Sequence, residues 1–327
     1  MYKLPIAAIS PNFSLELRDI RDFVAEFGPY NGQYVARYPT NWMSEFEKHI
    51  EELSPVDNLA AKTLLDKIKR TLFEKKLRYD LSKSWSENAS DIDVMGQCKP
   101  VVGDGCDPRP HMEWVEALVK IRESRNRTWK FRGTWDEYMS PIEPLLLSSP
   151  AAFIVDQYFD PCDSDSVNMI IMLLNRIKGS RCYEIHVITV LENLYYKPYK
   201  IEKTINSADP QVTFNVACKA IDDLYKPVMS KYIDRKLIFH FVKQAKHGTE
   251  NLRLHNRFFL TRYGAIDFGQ GVKLSSQPKA QMDASIVDKA HHDNLCLTYI
   301  YGVTKYKDKI HRDKDIAYPL NVDSYTV

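Results

Sequence analysis

Through the first part of the chain, apolar residues recur at three- and four-residue spacing, which is the pattern of amphipathic helices. The clearest case spans residues 58–76, where Leu, Ile and Phe residues are separated by Lys and Glu. Shorter helices are predicted at 14–27 and 44–53, with a loop or short strand pair at 28–42. Residues 79–109 are polar and contain Ser, Gly and Pro, which predicts a connector with little regular structure.

Helical spacing returns at 111–123, and a short helix is predicted at 134–144. These elements together predict that residues 1–147 form a mainly helical N-terminal region.

The pattern changes after Ser148. Compact runs of β-forming residues now alternate with amphipathic stretches that have helical spacing. The predicted elements are a strand at 151–159, a helix at 166–178, a strand at 182–191, a helix at 211–229 and a strand at 236–242. This alternation predicts a parallel sheet with right-handed crossovers.

Three further strands are predicted beyond this run, in segments rich in aromatic and β-branched residues. Residues 254–261 and 265–268 suggest a strand pair around a turn at Tyr263 and Gly264, and 294–301 suggests a last strand. The sheet is therefore expected to be mixed but mostly parallel. Residues from about 305 onward are polar and predict a loosely held tail.

The fold class predicted is α/β, with a helical N-terminal part and a sheet with flanking helices. A length of 327 residues favours two domains, although one large domain is possible. We place the predicted boundary between residues 147 and 148. Apolar residues make up 44% and charged residues 27% of the chain, which is the balance of a folded globular protein.

Charge and cysteine content narrow the classes of partner and compartment. Lys and Arg total 45 against 43 acidic residues, so the net charge of +2 gives no global argument for a nucleic-acid or membrane partner. Six scattered cysteines without a CxxC pair, and no secretory apolar segment, predict free thiols in the cytoplasm. No apolar run reaches the roughly 18 residues of a membrane span, so integral membrane association is not expected.

The sharpest candidate site is the segment 254–261, LHNRFFLT. On a strand, His255 and Arg257 point to the same face. An imidazole can attack phosphorus or shuttle a proton, and a guanidinium can hold two phosphate oxygens. One such spacing is also expected by chance among nine histidines and 45 basic residues, so a purely structural role is the alternative.

These residues resemble the phospholipase D superfamily, whose signature is His-x-Lys, an Asp five residues later and a Gly-Ser-x-Asn segment beyond it. His255 matches the nucleophilic histidine, Arg257 the phosphate-holding lysine and Gly269 the later glycine. Residues 156–159, DQYF, resemble the Asp-Pro-Tyr-Phe strand end of prokaryotic members. The resemblance covers the C-terminal half and implies phosphodiester chemistry without a metal or cofactor.

The motif is degenerate. Arg257 replaces the lysine, Arg262 stands at the position of the aspartate, and Gln270 and Val272 replace the serine and asparagine. An arginine cannot give up its proton but still clamps phosphate. The orienting role of the missing acid would have to fall to Asp267 or Asp156.

In active members two such motifs face each other, one histidine attacking the phosphodiester and the other protonating the leaving group. Since no other histidine here has a basic residue two places later, catalysis would require a homodimer that pairs two copies of His255. The resemblance implies His255 and Arg257 as catalytic residues. The residues expected to bind substrate are Arg253, Arg262, Gly269, Gln270, Lys273 and Asp156.

Two functions remain open from the sequence. In the first, the C-terminal half engages a phosphodiester, in nucleic acid rather than lipid, and acts weakly or not at all as a metal-independent phosphodiesterase or nuclease. In the second, the fold is a catalytically inactive interaction module whose N-terminal helices recognise a protein partner. A prokaryotic accessory or defence role suits either.

Other histidines and acids are weaker candidates. His291-His292-Asp293 is either a metal-ligand cluster or an exposed helix end. His186 and His240 lie among apolar residues and are expected to be hydrogen-bonded core histidines. The acids at 163 and 165 follow a predicted strand, where they would either contact a ligand or cap a helix.

Two basic, aromatic stretches, 122–132 and 195–203, either contact nucleic acid or form a solvated face. The chain has no Walker loop, no GxGxxG after a strand and no GxSxG segment. Their absence argues against a nucleotide-driven motor, a dinucleotide oxidoreductase and a serine hydrolase.

Overall fold

The computed structural model divides the chain into two compact units, Met1–Arg127 and Thr128–Val327. It describes residues 6–13, 16–73, 77–95, 98, 100–103, 113–124, 127–131, 134–190, 210–242, 257–269, 282–304 and 322–327. The boundary between the units falls earlier in the chain than the 147/148 boundary suggested by the sequence. The five described cysteines form no disulfide with one another, and Cys106 lies outside the described residues.

The first unit alternates strands and helices around a small parallel sheet of order β3-β2-β1-β4. Its elements are β1 (Ile6–Ile9), α1 (Leu17–Glu26), β2 (Tyr34–Ala36), α2 (Trp42–Ile50), α3 (Pro55–Thr71), β3 (Leu72–Phe73), α4 (Trp85–Val94), β4 (Val101–Val102) and α5 (Trp114–Ser124). The predicted helices at 14–27, 44–53, 58–76 and 111–123 are confirmed with shifted ends. The unit is mainly helical, and β2 lies within 28–42, where a loop or short strand pair was predicted. The other strands were not predicted, because strands of two to four residues are too short to show an alternating pattern.

The core of the first unit is aromatic. Phe13, Phe23 and Trp114 pack together, with the ring centroids of Phe13 and Trp114 4.7 Å apart. The indole N–H of Trp42 donates to the carbonyl of Ile9 at 2.6 Å, which ties α2 to the end of β1. The predicted connector at 79–109 instead contains α4, since Ser84 and Glu87 form a capping box that starts a helix there.

The second unit contains a mixed sheet of eight described strands, order β12-β8-β7-β6-β9-β10-β11-β5. Its elements are β5 (Thr128–Phe131), α6 (Trp135–Ser148), β6 (Ala151–Val155), α7 (Ser164–Ile177), β7 (Glu184–Val190), α8 (Pro210–Met229), β8 (Lys236–Val242), β9 (Phe258–Thr261), β10 (Gly264–Asp267), β11 (Met282–Ile286), α9 (Lys289–Leu295), a π-helical segment (Cys296–Tyr301), α10 (Gly302–Thr304) and β12 (Val322–Thr326).

The predicted β6-α7-β7-α8-β8 run is confirmed, with β6, β7 and β8 parallel. The sheet as a whole is not mostly parallel, because β9, β10, β11, β5 and β12 all join it in antiparallel pairs. Helix α8 packs on β8, with the ring centroids of Tyr225 in α8 and Phe239 in β8 5.4 Å apart. Helix α8 therefore covers one face of the parallel strands.

Two predictions for the end of the chain were wrong. The predicted strand at 294–301 is helical, because the Asp288 side chain caps a helix and the apolar residues at helical spacing pack on the sheet. A short apolar run fits either structure, and packing decides between them. Of the predicted loose tail, residues 305–321 lie outside the described residues, and its end forms β12, which pairs with β8.

Candidate functional site

Sheet register brings Arg257 beside Asp156. Strand β9 runs antiparallel to β6, and Phe258 lies opposite Val155. The residue that precedes β9 therefore lies next to the residue that follows β6. This position is the carboxyl end of the parallel strands, the edge at which α/β sheets place ligands.

Arg257 is held by an acid and an aromatic ring. Its Nε lies 3.0 Å from Oδ1 of Asp156, and the two side chains are only 12% and 13% exposed. The guanidinium carbon lies 5.0 Å from the ring centroid of Tyr158, a cation–π arrangement. Tyr158 itself is 60% exposed, so an oriented guanidinium lies beside an accessible aromatic ring.

The Asp156 carboxylate is fixed from several directions. Burial raises its pKa above the ordinary value, while the nearby Arg257 guanidinium and the backbone N–H of Tyr158 oppose that rise. The Tyr158 N–H donates to Oδ1 at 2.9 Å, and the Asp156 N–H donates to the carbonyl of Ile188 at 3.0 Å. Burial, followed by the Asp156 charge, also raises the pKa of Tyr138.

The residues that follow β10 contact the backbone of Arg257. The N–H of Phe268 donates to the Arg257 carbonyl at 2.8 Å, which places Gly269 near the guanidinium-bearing residue. Gly269 has a φ of +60°, and its N–H donates to Oδ1 of Asp267 at 2.7 Å. Of the two acids considered as substitutes for the family aspartate, Asp156 therefore contacts Arg257, whereas Asp267 fixes the turn.

Of the remaining residues predicted to bind substrate, the described Arg262 does not lie beside Arg257. Arg262 lies in the turn at the opposite end of β9, about 16 Å away at the usual rise per strand residue. Its guanidinium packs over the ring of Tyr263, 5.8 Å from the centroid. His255, with Arg253, Gln270 and Lys273, lies outside the described residues, and its pairing with Arg257 stays a prediction.

The weaker histidine and acid candidates have structural contacts. His186 and His240 are buried and hydrogen-bonded to each other. The buried His292 shares a 2.8 Å hydrogen bond with the carbonyl of Thr261, and His291 is exposed. Asp163 caps α7. Within the described ranges, no group of three or more His, Cys, Asp or Glu has the geometry of a metal site.

The structure describes most of one basic stretch and none of the other. In 122–132, the Arg122 side chain pairs with Glu26 at 2.9 Å, and Trp129 is buried in β5 rather than available for stacking. The stretch 195–203 lies outside the described residues.

Sequence reasoning did not select Tyr158 as a site residue. The sequence feature that could have identified Tyr158 is its position two residues after Asp156, just beyond a strand. That spacing is common, and only the fold shows that Arg257 comes to lie over the ring.

Comparison of the sequence with protein-family models and with curated proteins found no match. Among the described helices, none combines the length and apolarity needed to cross a bilayer.

Proposed function

We propose that the second unit is a phospholipase D-like module that engages a phosphodiester through Arg257, with weak or absent cleavage through His255 in a homodimer. The observation that supports this proposal is the Arg257 guanidinium, oriented by Asp156 and Tyr158 at the carboxyl end of the parallel strands. Such an edge is the usual ligand position in α/β sheets.

The ion pair leaves Arg257 suited to phosphate. Asp156 engages Nε, so the ion pair does not require the two terminal nitrogens, whose N–H groups match the spacing of phosphate oxygens. Because Asp156 already orients the Arg257 side chain, that side chain loses less conformational entropy when phosphate binds. Because the Asp156 carboxylate also offsets the positive charge, we expect modest affinity, in keeping with a degenerate site.

Tyr158 favours nucleic acid over lipid. Its ring is exposed and lies beside Arg257, so a nucleobase can stack on the ring while the guanidinium contacts the adjoining phosphate. A lipid headgroup would use the guanidinium but not the ring.

The binding test uses purified full-length protein with fluorescently labelled single- and double-stranded DNA and RNA, measured by anisotropy at low and high salt. We expect salt-dependent binding that Arg257→Gln and Tyr158→Ala each weaken about tenfold. Arg262→Gln removes the same charge at the far end of β9 and is the matched control. Equal losses in Arg257→Gln and Arg262→Gln would show general charge attraction and contradict the site.

Folding and cleavage need separate controls. Arg257→Gln leaves a buried carboxylate unpaired, so its thermal unfolding is compared with that of Asp156→Asn/Arg257→Gln. Tyr158→Ala changes an exposed ring and tests the site without that complication. Nuclease activity that is lost in His255→Ala supports catalysis, whereas binding without cleavage by either protein supports a module that only binds.

A protein-interaction module is the second candidate. Apolar side chains are exposed on two helices of the first unit, Val56 and Leu59 on α3 and Val115 and Val119 on α5. Exposed apolar groups of this kind favour a protein partner. If the protein binds none of the nucleic acids, this candidate replaces the first.

A further inference from the structure

Four side chains of the larger sheet form a continuous hydrogen-bonded chain, termed the histidine relay: Glu184, His186, His240 and Ser324. Oε2 of Glu184 lies 3.2 Å from Nε2 of His186, and Nδ1 of His186 lies 2.9 Å from Nε2 of His240. Nδ1 of His240 lies 2.7 Å from Oγ of Ser324. Both histidines are buried, while Ser324 is exposed, so the relay joins a buried pair of imidazoles to a surface hydroxyl.

Strand pairing explains why Ser324 meets His240. The two residues lie opposite each other in β12 and β8. The N–H of Val327 donates to the carbonyl of Leu237, and ladder hydrogen bonds alternate along an antiparallel pair. Ser324 and His240 therefore form a non-hydrogen-bonded pair, in which side chains approach most closely.

The same alternation directs the backbone N–H of Ser324 away from β8. Among the described strands, β12 forms an edge of its sheet, so this N–H faces the open edge. Because Ser324 is exposed, a molecule that approaches the described edge of the sheet at β12 can contact this residue.

Charge sets the direction of the hydrogen bonds. The hydrogen bond from His186 lowers the pKa of Glu184, so the carboxylate is ionised and accepts the proton on His186 Nε2. With one proton on each ring, His186 Nδ1 then accepts from His240 Nε2. Burial, followed by the neighbouring His186, lowers the pKa of His240 to about 3, so this ring is neutral and its Nδ1 accepts from the Ser324 hydroxyl.

We propose that Ser324 is a nucleophile that reacts with carboxylic esters of small acyl groups, with the histidine relay as its base. Oγ attacks the carbonyl carbon while its proton passes to His240 Nδ1, and the proton on His240 Nε2 passes to His186 Nδ1. The positive charge thus resides on His186, beside the Glu184 carboxylate.

Collapse of the tetrahedral intermediate breaks the ester C–O bond. The relay returns its proton to the leaving alcohol, and the acyl group remains on Ser324. Water then repeats the sequence and releases the acid. In this proposal the Ser324 N–H, which points away from β8, donates to the oxyanion, as the nucleophile's own N–H does in oxyanion holes.

An ester of a small acyl group fits the position of Ser324. Ser324 is an exposed residue of β12, which is an edge strand among the described strands, so a substrate needs no long binding groove. A neutral carbonyl requires only one proton acceptor and a donor for the oxyanion, and both are present.

The test incubates the full chain with 4-nitrophenyl acetate and follows 4-nitrophenolate release together with peptide mass spectrometry. We expect a burst of one equivalent and an acetyl group on Ser324, both lost in Ser324→Ala. Ser230→Ala removes another exposed serine, whose hydroxyl donates to the carbonyl of Pro227 near the end of α8, and keeps the burst. Acetylation at other residues alone, or equal bursts in wild type and Ser324→Ala, would overturn the proposal.

The relay residues are tested by rate and pH profile. We expect His240→Gln to slow acylation at least about tenfold, because the hydroxyl loses its base. The charged or titratable groups facing His186 are Glu184, Lys236 through its 3.2 Å pair with Glu184, and His240. Glu184→Gln removes the charge that stabilises the imidazolium, so the low-pH midpoint of the acylation rate moves downward. An unchanged midpoint together with an unchanged rate in His240→Gln contradicts the relay.

Discussion

At the residue scale, the second unit buries ionisable groups in two ways. Asp156 is largely but not fully buried beside one cationic partner, and its carboxylate also accepts a backbone hydrogen bond. His186 and His240 are buried and bonded to each other, and one acid, Glu184, contacts the pair through His186, so only one positive charge has an adjacent counter-charge. A second proton on the histidine pair would leave a buried charge unpaired, which is unfavourable.

His240 makes stability depend on pH. Its folded pKa of about 3 lies below its ordinary value of 6.5, so the unfolded chain binds a proton that the folded chain excludes. The contribution of His240 to stability is fully present above pH 6.5 and is lost as the pH falls toward 3. We expect the free energy of unfolding to decline by up to about 1.4 kcal/mol per pH unit from this one group.

Urea unfolding of the wild type and His240→Gln across this window tests that slope. The variant is expected to be less stable at neutral pH, since two hydrogen bonds are changed, but to show a shallower acid decline. His291→Gln changes an exposed histidine and keeps the wild-type slope. Parallel curves for wild type and His240→Gln would contradict the assignment.

At the element scale, local caps start helices where composition predicts loops. The Ser84 hydroxyl accepts from the Glu87 N–H, and the Glu87 carboxylate accepts from the Ser84 N–H at 2.8 Å. This capping box begins α4 in a stretch whose Ser and Gly content predicted a connector. In the sequence, the capping box is recognisable from the Ser-x-x-Glu spacing of Ser84 and Glu87.

Removing the cap is expected to destabilise the first unit. Ser84→Ala leaves the Glu87 N–H without its side-chain acceptor and should lower the free energy of unfolding by about 1 kcal/mol. Ser90→Ala makes the same chemical change inside α4, where Ala is the better helix former, and should cost much less. Equal effects in chemical denaturation would show that the cap does not stabilise α4.

At the scale of the whole molecule, β5 is a strand of the larger sheet and α6 packs on that sheet. β5 pairs with β11, and α6 packs against β6, β9 and β10. Several α6 side chains are buried, among them Tyr138, Ile142 and Leu146. A fragment that begins at residue 148 would expose these partners.

We therefore expect residues 128–327 to unfold cooperatively on heating and residues 148–327 to melt at a clearly lower temperature or without a cooperative transition. Loss of several buried large side chains is worth several kcal/mol, at about 2–5 kcal/mol each. Circular dichroism of the two fragments measures the difference. Equal melting temperatures would support the boundary suggested by the sequence.

The sequence by itself determined the α/β class, the β6-α7-β7-α8-β8 run and the amphipathic helices. A helix of more than about two turns, or a strand of more than about four residues, leaves a recognisable pattern of apolar residues in the sequence when one of its faces is buried. It also identified Arg257 and Asp156 as separate candidates. Tertiary structure decided the rest. The short strands of the first unit and the helical 294–301 segment depend on packing, which a local pattern does not contain. Sheet register brings Arg257 to Asp156 and Ser324 to His240, because strand pairing joins residues far apart in the chain.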